Sequence, residues 1–305
     1  MSNPKVLSYG GGLDSFAMLV DAIQRGELPD VVIFCDTGDS TATTNGSDPG
    51  EWPSTYRHMR EVVMPLCAQH GIEFVWLDST MYPVRNARSL FAWLDARGQI
   101  PVAGPNRICT TVAKVERFER WASDRFGTQP IEVWIGFESG EEARAEKDPN
   151  AGKSNGLRLN RFPLMERGLC RCRCESLVRD AGFPVPRKSA CTFCPYASKR
   201  DWQTLARELP ETFEQIEALE ARKLAVPTKK SGVRLSIMGY RKAQPGPLPE
   251  NPERGVHYKA PALRDFVQGV SREKRQACTV CGAAQRATKA TGCDYLSEPE
   301  ATVAA

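Results

Sequence analysis

Lys5-Val-Leu-Ser-Tyr-Gly-Gly-Gly-Leu-Asp-Ser15 decides how this chain is read. A short apolar run enters three successive glycines, then Asp14-Ser15, then Phe16-Ala-Met-Leu-Val, where a helical pattern begins. Inside a helix or strand each glycine would cost roughly 0.5–1 kcal/mol relative to alanine, so three together mark a backbone with a task. Glycines let amide N–H groups face a ligand without obstruction, and a helix N-terminus adds unpaired donors and a partial positive charge. Strand, glycine loop and helix therefore form a layout for phosphate, a plain turn being the alternative. It is not a Walker loop, because no Gly-Lys-Ser/Thr follows, and it is not the G-x-G-x-x-G dinucleotide spacing.

Working outward, Val31–Cys35, Glu73–Leu77 and Glu132–Ile135 are further short apolar runs that read as buried parallel strands. Helical patterns over 15–25, 55–70, 84–97 and 110–126 alternate with them, with Pro65 expected to kink or shorten the second. The alternation predicts an α/β fold with a doubly wound, mostly parallel sheet. Ligands of such sheets sit beyond the carboxyl ends of the strands at the switch point, where the glycine run falls. Residues 137–160 read as a mobile polar loop. Helices are expected over 199–208 and 211–223, sharing an apolar stripe of Trp202, Leu205, Leu209, Phe213, Ile216 and Leu219. The expected division is 1–160, a nucleotide-binding α/β domain; 161–226, a helical, cysteine-bearing extension completing the site; and 227–305, a basic Pro/Gly-rich connector with a small cysteine-bearing tail.

The 305 residues carry a net charge of +4 and eleven cysteines. The charge is unevenly spread: residues 1–150 are net acidic and the remainder strongly basic, as a nucleic-acid-facing half would be, a solvated basic surface being the plain alternative. No apolar run approaches the ~20 residues of a membrane span, and no basic-then-apolar leader opens the chain, so a cytoplasmic location with no membrane partner is expected. In a reducing compartment the cysteines read as thiols or metal ligands.

Several ordered segments carry a resemblance. Gly10-Gly11-Gly12-Leu13-Asp14-Ser15 resembles the S-G-G-x-D-S loop of the PP-loop ATP pyrophosphatases (adenine nucleotide alpha-hydrolases), with Gly10 in place of the first serine and one hydroxyl donor fewer. Cys35-Asp36-Thr37-Gly38 resembles the D-T-G motif of the phosphoadenosine-phosphosulfate (PAPS) reductase-like branch of bacterial and phage proteins. Pro53-Ser-Thr55-Tyr56-Arg-His58 is similar to its P-x-T-Y-x-H segment, Arg107-Ile-Cys109-Thr-Thr-Val-Ala-Lys114 to its R-x-C-T-x-x-x-K segment, and Gly136 with Glu141, Glu142 and Arg144 to its G…E-x-x-R loop. Pro186-Arg-Lys-Ser-Ala-Cys191-Thr-Phe-Cys194-Pro195 is similar to its C-x-x-C-P segment. The match covers roughly residues 5–220 and leaves the tail out.

The resemblance implies a HUP-like fold and an enzyme that splits ATP between its α and β phosphates. The adenylated substrate, DNA or tRNA, would then accept sulfur, supplied by a donor such as a cysteine desulfurase. Gly10, Gly11, Gly12, Asp14 and Ser15 would cradle the pyrophosphate portion; Asp14, itself an anion, would cap the helix or help hold Mg²⁺. Asp36, with Thr37 and Gly38, would meet ribose, adenine or the metal. Arg107, Lys114 and Arg144 would clamp phosphate, arginine as a fork of donors and lysine as a point charge. His58 and Tyr56 are expected to brace the second helix. Cys109, placed just before a helix, where thiolate is favoured, would join Cys191, Cys194 and Cys174 around a [4Fe–4S] cluster, structural Zn²⁺ being the alternative. Cys170 and Cys172, alternating with arginine, could share a strand face with Cys174. Cys35 and Cys67 read as buried and structural. In the tail Cys278, Cys281, Cys293 and His257 have the makings of a zinc knuckle. A sulfonucleotide (PAPS/APS) reductase and a non-catalytic nucleotide- or nucleic-acid-binding protein are the alternatives.

Overall fold

The computed structural model describes residues 2–38, 48–101, 107–148, 150, 157–225, 244–246, 257–259 and 263–268. Strands β1 (Lys5–Ser8), β2 (Val31–Cys35), β3 (Glu73–Leu77), β4 (Ile131–Ile135) and β5 (Arg158–Arg161) form one parallel sheet in the order β3-β2-β1-β4-β5. The order reverses at β1, so the switch point lies between β1 and β4, and the glycine loop leaves β1 at that crevice. The α/β, doubly wound parallel architecture is thus observed.

Alternation along the strands sends their side chains to two cores. Leu7, Val32, Phe34 and Trp134 pack with helix α1 (Leu13–Arg25) on one face. Helices α2 (Pro53–His58) and α3 (Met64–Gln69) lie on that face, as does α9 (Arg171–Asp180). Val6, Val31, Ile33 and Val133 pack on the other face against Phe118, Trp121 and Ala122 of α6 (Glu116–Phe126). Phe16 of α1 is fully buried, and an aromatic or aliphatic side chain taken wholly from water contributes about 1.5–3 kcal/mol. Gly26 ends α1 in the left-handed conformation, φ 69°, while Glu27 donates its N–H to the Ala22 carbonyl, 3.0 Å, satisfying a terminal acceptor.

The helix expected over 55–70 runs from α2 into α3 through a π-helical turn at Met59–Val63. A proline ring clashes with the carbonyl four residues back, and a widened turn just ahead of Pro65 relieves it without breaking the helix. A second π turn, Thr111–Val115, joins α5 (Ile108–Thr110) to α6. The helix expected over 84–97 is shorter, α4 (Leu90–Asp95): Arg85 and Asn86 have φ of 46° and 71° in a tight turn closed between Val84 and Ala87, and Ser89 caps the helix by accepting the Ala92 N–H at 2.8 Å.

The stretch expected to be a loop, 137–160, contains α7 (Glu142–Ala145) and the start of β5. Helix α8 (Pro163–Glu166) follows. Cys172 and Cys174 lie on α9 with Cys170 at its N-cap, not on a strand. Helices α10 (Lys199–Glu208) and α11 (Pro210–Ala225) sit where expected, and the stripe from Trp202 to Leu219 packs with α4, Phe193 and α12 (Leu263–Val267) in a third core. A capping box between Ser198 and Asp201 starts α10. Most of the 227–252 connector and Cys278, Cys281 and Cys293 fall outside the described residues. His257 begins β7 (His257–Lys259), which pairs antiparallel with β6 (Gln244–Gly246). Among the described residues no helix is long and apolar enough to cross a membrane.

Candidate functional site

Gly10, Gly11 and Gly12 connect β1 to α1 at the switch point. Gly11 has φ 76°, which only glycine adopts without strain, and a β-carbon there would stand 2.7 Å from Thr55 Cγ2. Gly12 is the helix N-cap and brings no side-chain acceptor, so the opening turn of α1 keeps its donors for another partner. The loop is braced from within: Ser15 Oγ donates to the Gly12 carbonyl and accepts the Gly10 N–H, both at 3.1 Å. Gly136, after β4, comes so close to the start of α1 that a β-carbon would meet Ser15 N at 3.1 Å. Ser189 lies over the loop from outside, its hydroxyl donating to the Gly10 carbonyl.

On the β4 side stands a charged group. Arg171 Nη1 reaches Asp14 Oδ2 at 2.9 Å and Oδ1 at 3.3 Å, and its backbone N–H donates to Glu138 at 3.0 Å. Burial raises the Asp14 carboxyl above the usual range, Arg171 works against it, Glu141 adds to it and Arg144 lowers it. Burial likewise raises Glu138. Arg144 pairs with Glu141 and lies over the Phe137 ring, 4.3 Å from its centroid, while Phe137 stacks on Phe162 at 5.2 Å. Asp14 and Arg144 are therefore gathered on one flank of the glycine loop, with Arg171 between sheet and helix as an unexpected third member. Arg171 sits inside the Cys-Arg-Cys-Arg-Cys run, where the thiols draw the attention away from the cation.

The β2 side is built differently. Asp36 is fully buried and both oxygens of its carboxylate hold protein donors: Tyr56 O–H at 2.6 Å and Gly38 N–H at 2.9 Å on Oδ1, Trp76 Nε1–H at 3.0 Å on Oδ2. Tyr56 stacks on Trp76, centroids 5.7 Å apart. His58 is buried edge-on against Phe16, so both aromatic residues of the second helix brace it. Arg117, 1% exposed, donates to the carbonyls of Asp36, Leu77 (2.7 Å), Tyr82 (2.6 Å) and Ala113 (3.3 Å), tying the ends of β2 and β3 to α6.

Beside this brace lies a thiol group. Cys191 Sγ is 3.2 Å from Thr37 Oγ1 and 3.8 Å from Glu51 Oε1, and a β-bridge joins Glu51 to Cys191. Lys114 Nζ is 3.5 Å from Glu51 Oε1, the lysine 37% exposed and the carboxylate 0%. Glu51 Oε2 is buried without a partner. Burial pushes the Glu51 carboxyl above the usual range, and Lys114 pulls it back only in part. Burial also opposes the Lys114 charge, but Glu51 and then Cys191, Cys35 and Cys109 outweigh it and hold the amine above the ordinary lysine value. Cys191 and Cys194 are raised chiefly by burial, and Cys109 adds to the shift at Cys194. Cys109 lies within α5 rather than ahead of a helix. Arg107 rests over the Tyr196 ring at 4.7 Å.

Cys109, Cys191 and Cys194 are thus near neighbours, with Lys114 among them. Cys174 is not brought to them: it is fully buried in the α1–α9 core, with Asp14, Glu138 and Cys170 as its electrostatic neighbours. A four-thiol site including Cys174 does not fit this arrangement, and among the described residues no three histidine, cysteine or acidic side chains converge as a metal site. Cys67 is buried and Cys35 half-buried; burial raises their thiols to about 12 and about 11.

No protein-family model matches the sequence, and the curated proteins contain no match. Among solved structures, the U34-tRNA thiolase NcsA from Methanococcus maripaludis with its [4Fe-4S] cluster is similar to this chain at 15% identity. The similarity covers 72% of this chain and 73% of that one, with a TM-score of 0.39. What the site can do follows from its own side chains.

Proposed function

We propose that the chain is an ATP-dependent adenylating enzyme that activates an oxygen of its substrate for replacement by sulfur. A substrate oxygen attacks the α-phosphorus, the bond to the bridging oxygen breaks and pyrophosphate leaves; a sulfur nucleophile then displaces AMP. The observation that carries this reading is the uncapped glycine loop at the switch point of a parallel sheet, flanked on one side by cations and on the other by thiols. Donors fixed before the reaction stabilise charge that develops on the leaving phosphates without reorganisation. The loop amides, the Ser15 N–H among them, suit the pyrophosphate portion, and Arg171 and Arg144 are the nearby cations that would meet a triphosphate's charge. Mg²⁺ would neutralise phosphate charge, with Asp14 the carboxylate that meets it.

Cys109, Cys191 and Cys194 lie near one another but do not converge as a metal site among the described residues, so no step is routed through a [4Fe–4S] cluster or Zn²⁺ and the sulfur nucleophile comes from the donor. Lys114 and Glu51 pair beside those thiols. The basic second half of the chain favours a nucleic acid, DNA or tRNA, as the acceptor, and a cysteine desulfurase fits the part of sulfur donor.

Pyrophosphate release from Mg–ATP in the presence of tRNA or duplex DNA, measured on an anaerobic preparation, tests the reaction. The expected result is AMP and pyrophosphate in equal amounts. Sulfite release from PAPS without ATP hydrolysis would refute it in favour of a reductase, and ATP binding without turnover would refute it in favour of a non-catalytic binder.

A further inference from the structure

Residues 183–195, between α9 and α10, cross over the glycine loop. Thr192 fastens this strap by donating its N–H and its hydroxyl to the Gly50 carbonyl, 2.7 and 3.0 Å. Arg187 fastens it again, 2.8 Å from Asp201 and 3.6 Å from the Trp52 ring centroid. Where the strap passes the loop it presents Ser189, which bonds Gly10 and leaves no room for a side chain at Gly12. Its hydroxyl donates to the Gly10 carbonyl and lies 3.7 Å from the place of a Gly11 β-carbon. Its Cβ and N lie 3.0 and 3.3 Å from the place of a Gly12 β-carbon.

Gly12 has φ −117° and ψ 178°, extended backbone that any residue adopts. Conformation does not demand glycine at position 12; the approach of Ser189 does. We propose that Ser189 belongs to the phosphate site, and that its hydroxyl exchanges the Gly10 carbonyl for a phosphate oxygen when the loop is filled. This rests on the nucleotide reading given above. The loop's own hydroxyl, on Ser15, is engaged at both donor and acceptor by Gly12 and Gly10. A serine hydroxyl has one donor, and a carbonyl and a phosphate oxygen are both acceptors, so rotation about one bond makes the exchange. The bond to phosphate is charge-assisted and the stronger of the two.

Cys191 follows Ser189 by two residues on the same strap, so an anion that recruits Ser189 also loads the segment holding Cys191 to Thr37 and Glu51. Occupancy of the loop and exposure of that thiol are coupled through a single stretch of backbone.

The test uses the full chain as wild type, Ser189→Ala and Ser198→Ala. Inorganic pyrophosphate and Mg–ATP are titrated by calorimetry, thermal melting is recorded, and iodoacetamide labelling of Cys191 is followed with and without pyrophosphate. The expected result is a ten- to hundredfold loss of affinity for both ligands in Ser189→Ala, with Tm lowered only by the lost bond to the Gly10 carbonyl. Pyrophosphate alters the Cys191 labelling rate in wild type and leaves it unaltered in Ser189→Ala. Ser198→Ala, which removes the cap of α10, lowers Tm and binds as wild type does. Wild-type affinity in Ser189→Ala, or an equal loss of affinity in Ser198→Ala, overturns the role of Ser189 and leaves the nucleotide reading standing. A wild-type chain that binds neither ligand overturns both.

Discussion

Replacing Asp36 by asparagine separates a structural keystone from a ligand contact. The wild-type carboxylate receives three donors, from Tyr56, Gly38 and Trp76, at 2.6–3.0 Å. Asparagine keeps one acceptor oxygen, and its lower-cost orientation leaves that oxygen on Tyr56 and Gly38. Its amide N–H₂ then faces the Trp76 N–H, donor against donor. An orphaned buried donor costs about 1–3 kcal/mol, and exchanging charge-assisted for neutral bonds costs roughly another 1 kcal/mol. Arg117, whose guanidinium touches only carbonyls, also loses the negative charge that supports it. The expected destabilisation is about 2–4 kcal/mol, measured as a lower urea midpoint at unchanged slope, with Trp76 fluorescence as the probe. A loss below about 0.5 kcal/mol joined to lost ATP binding would refute the reasoning. Asp36 would then be a residue that holds the nucleotide rather than the pin that fixes β2 to the second helix.

Three further outcomes follow from the same contacts. His58 is buried with Nε2 unpartnered, and burial lowers its pKa below the ordinary histidine value, so the fold holds it neutral. As pH falls below about 6.5 the unfolded chain takes the proton first, and stability is lost down to the folded pKa; His58→Phe should flatten that loss in urea titrations between pH 7 and 5, and an unchanged slope would reject the assignment. Arg117→Lys replaces a planar fork reaching four carbonyls with three donors on one atom, and should cost about 1–3 kcal/mol in the same assay, less than about 0.5 kcal/mol being incompatible with its role as a brace. Gly11→Ala forces a left-handed φ on a side chain and drives Cβ into Thr55, so a loss of about 2 kcal/mol or more is expected together with weakened pyrophosphate binding. Wild-type melting and binding in that variant would show the loop to be an ordinary turn.

The strands were legible where both faces are buried. Val31–Cys35 is apolar throughout because β2 lies inside the sheet between β1 and β3. Arg158-Leu-Asn-Arg161 was not legible, because β5 is an edge strand with one neighbour and little burial to demand apolar residues. The stripe of α10 and α11 gave itself away by its period, whereas Cys170–Cys174 alternates like a strand and folds as a helix start. In the site, the glycine loop announced itself through composition. Ser189, Glu51, Arg117 and Arg171 carry no such mark: each matters through a partner far along the chain, 179 residues in the case of Ser189 and Gly10, and such pairings exist only once the sheet has formed. Cys174 shows the opposite error, a residue type that invites ligation but is claimed by helix packing.

The π turn at Thr111–Val115 has a consequence for how this segment tolerates change in length. It stores one surplus residue between Cys109 and the α6 face bearing Phe118 and Trp121. A π turn spends one extra residue on nearly the same rotation, so deleting one residue here would restore ordinary winding and leave both the aromatic anchors and Cys109 close to their places. The same deletion within the regular winding of α6 would instead turn the thiol by about 100° against the core, so this turn is the place where the segment tolerates a lost residue.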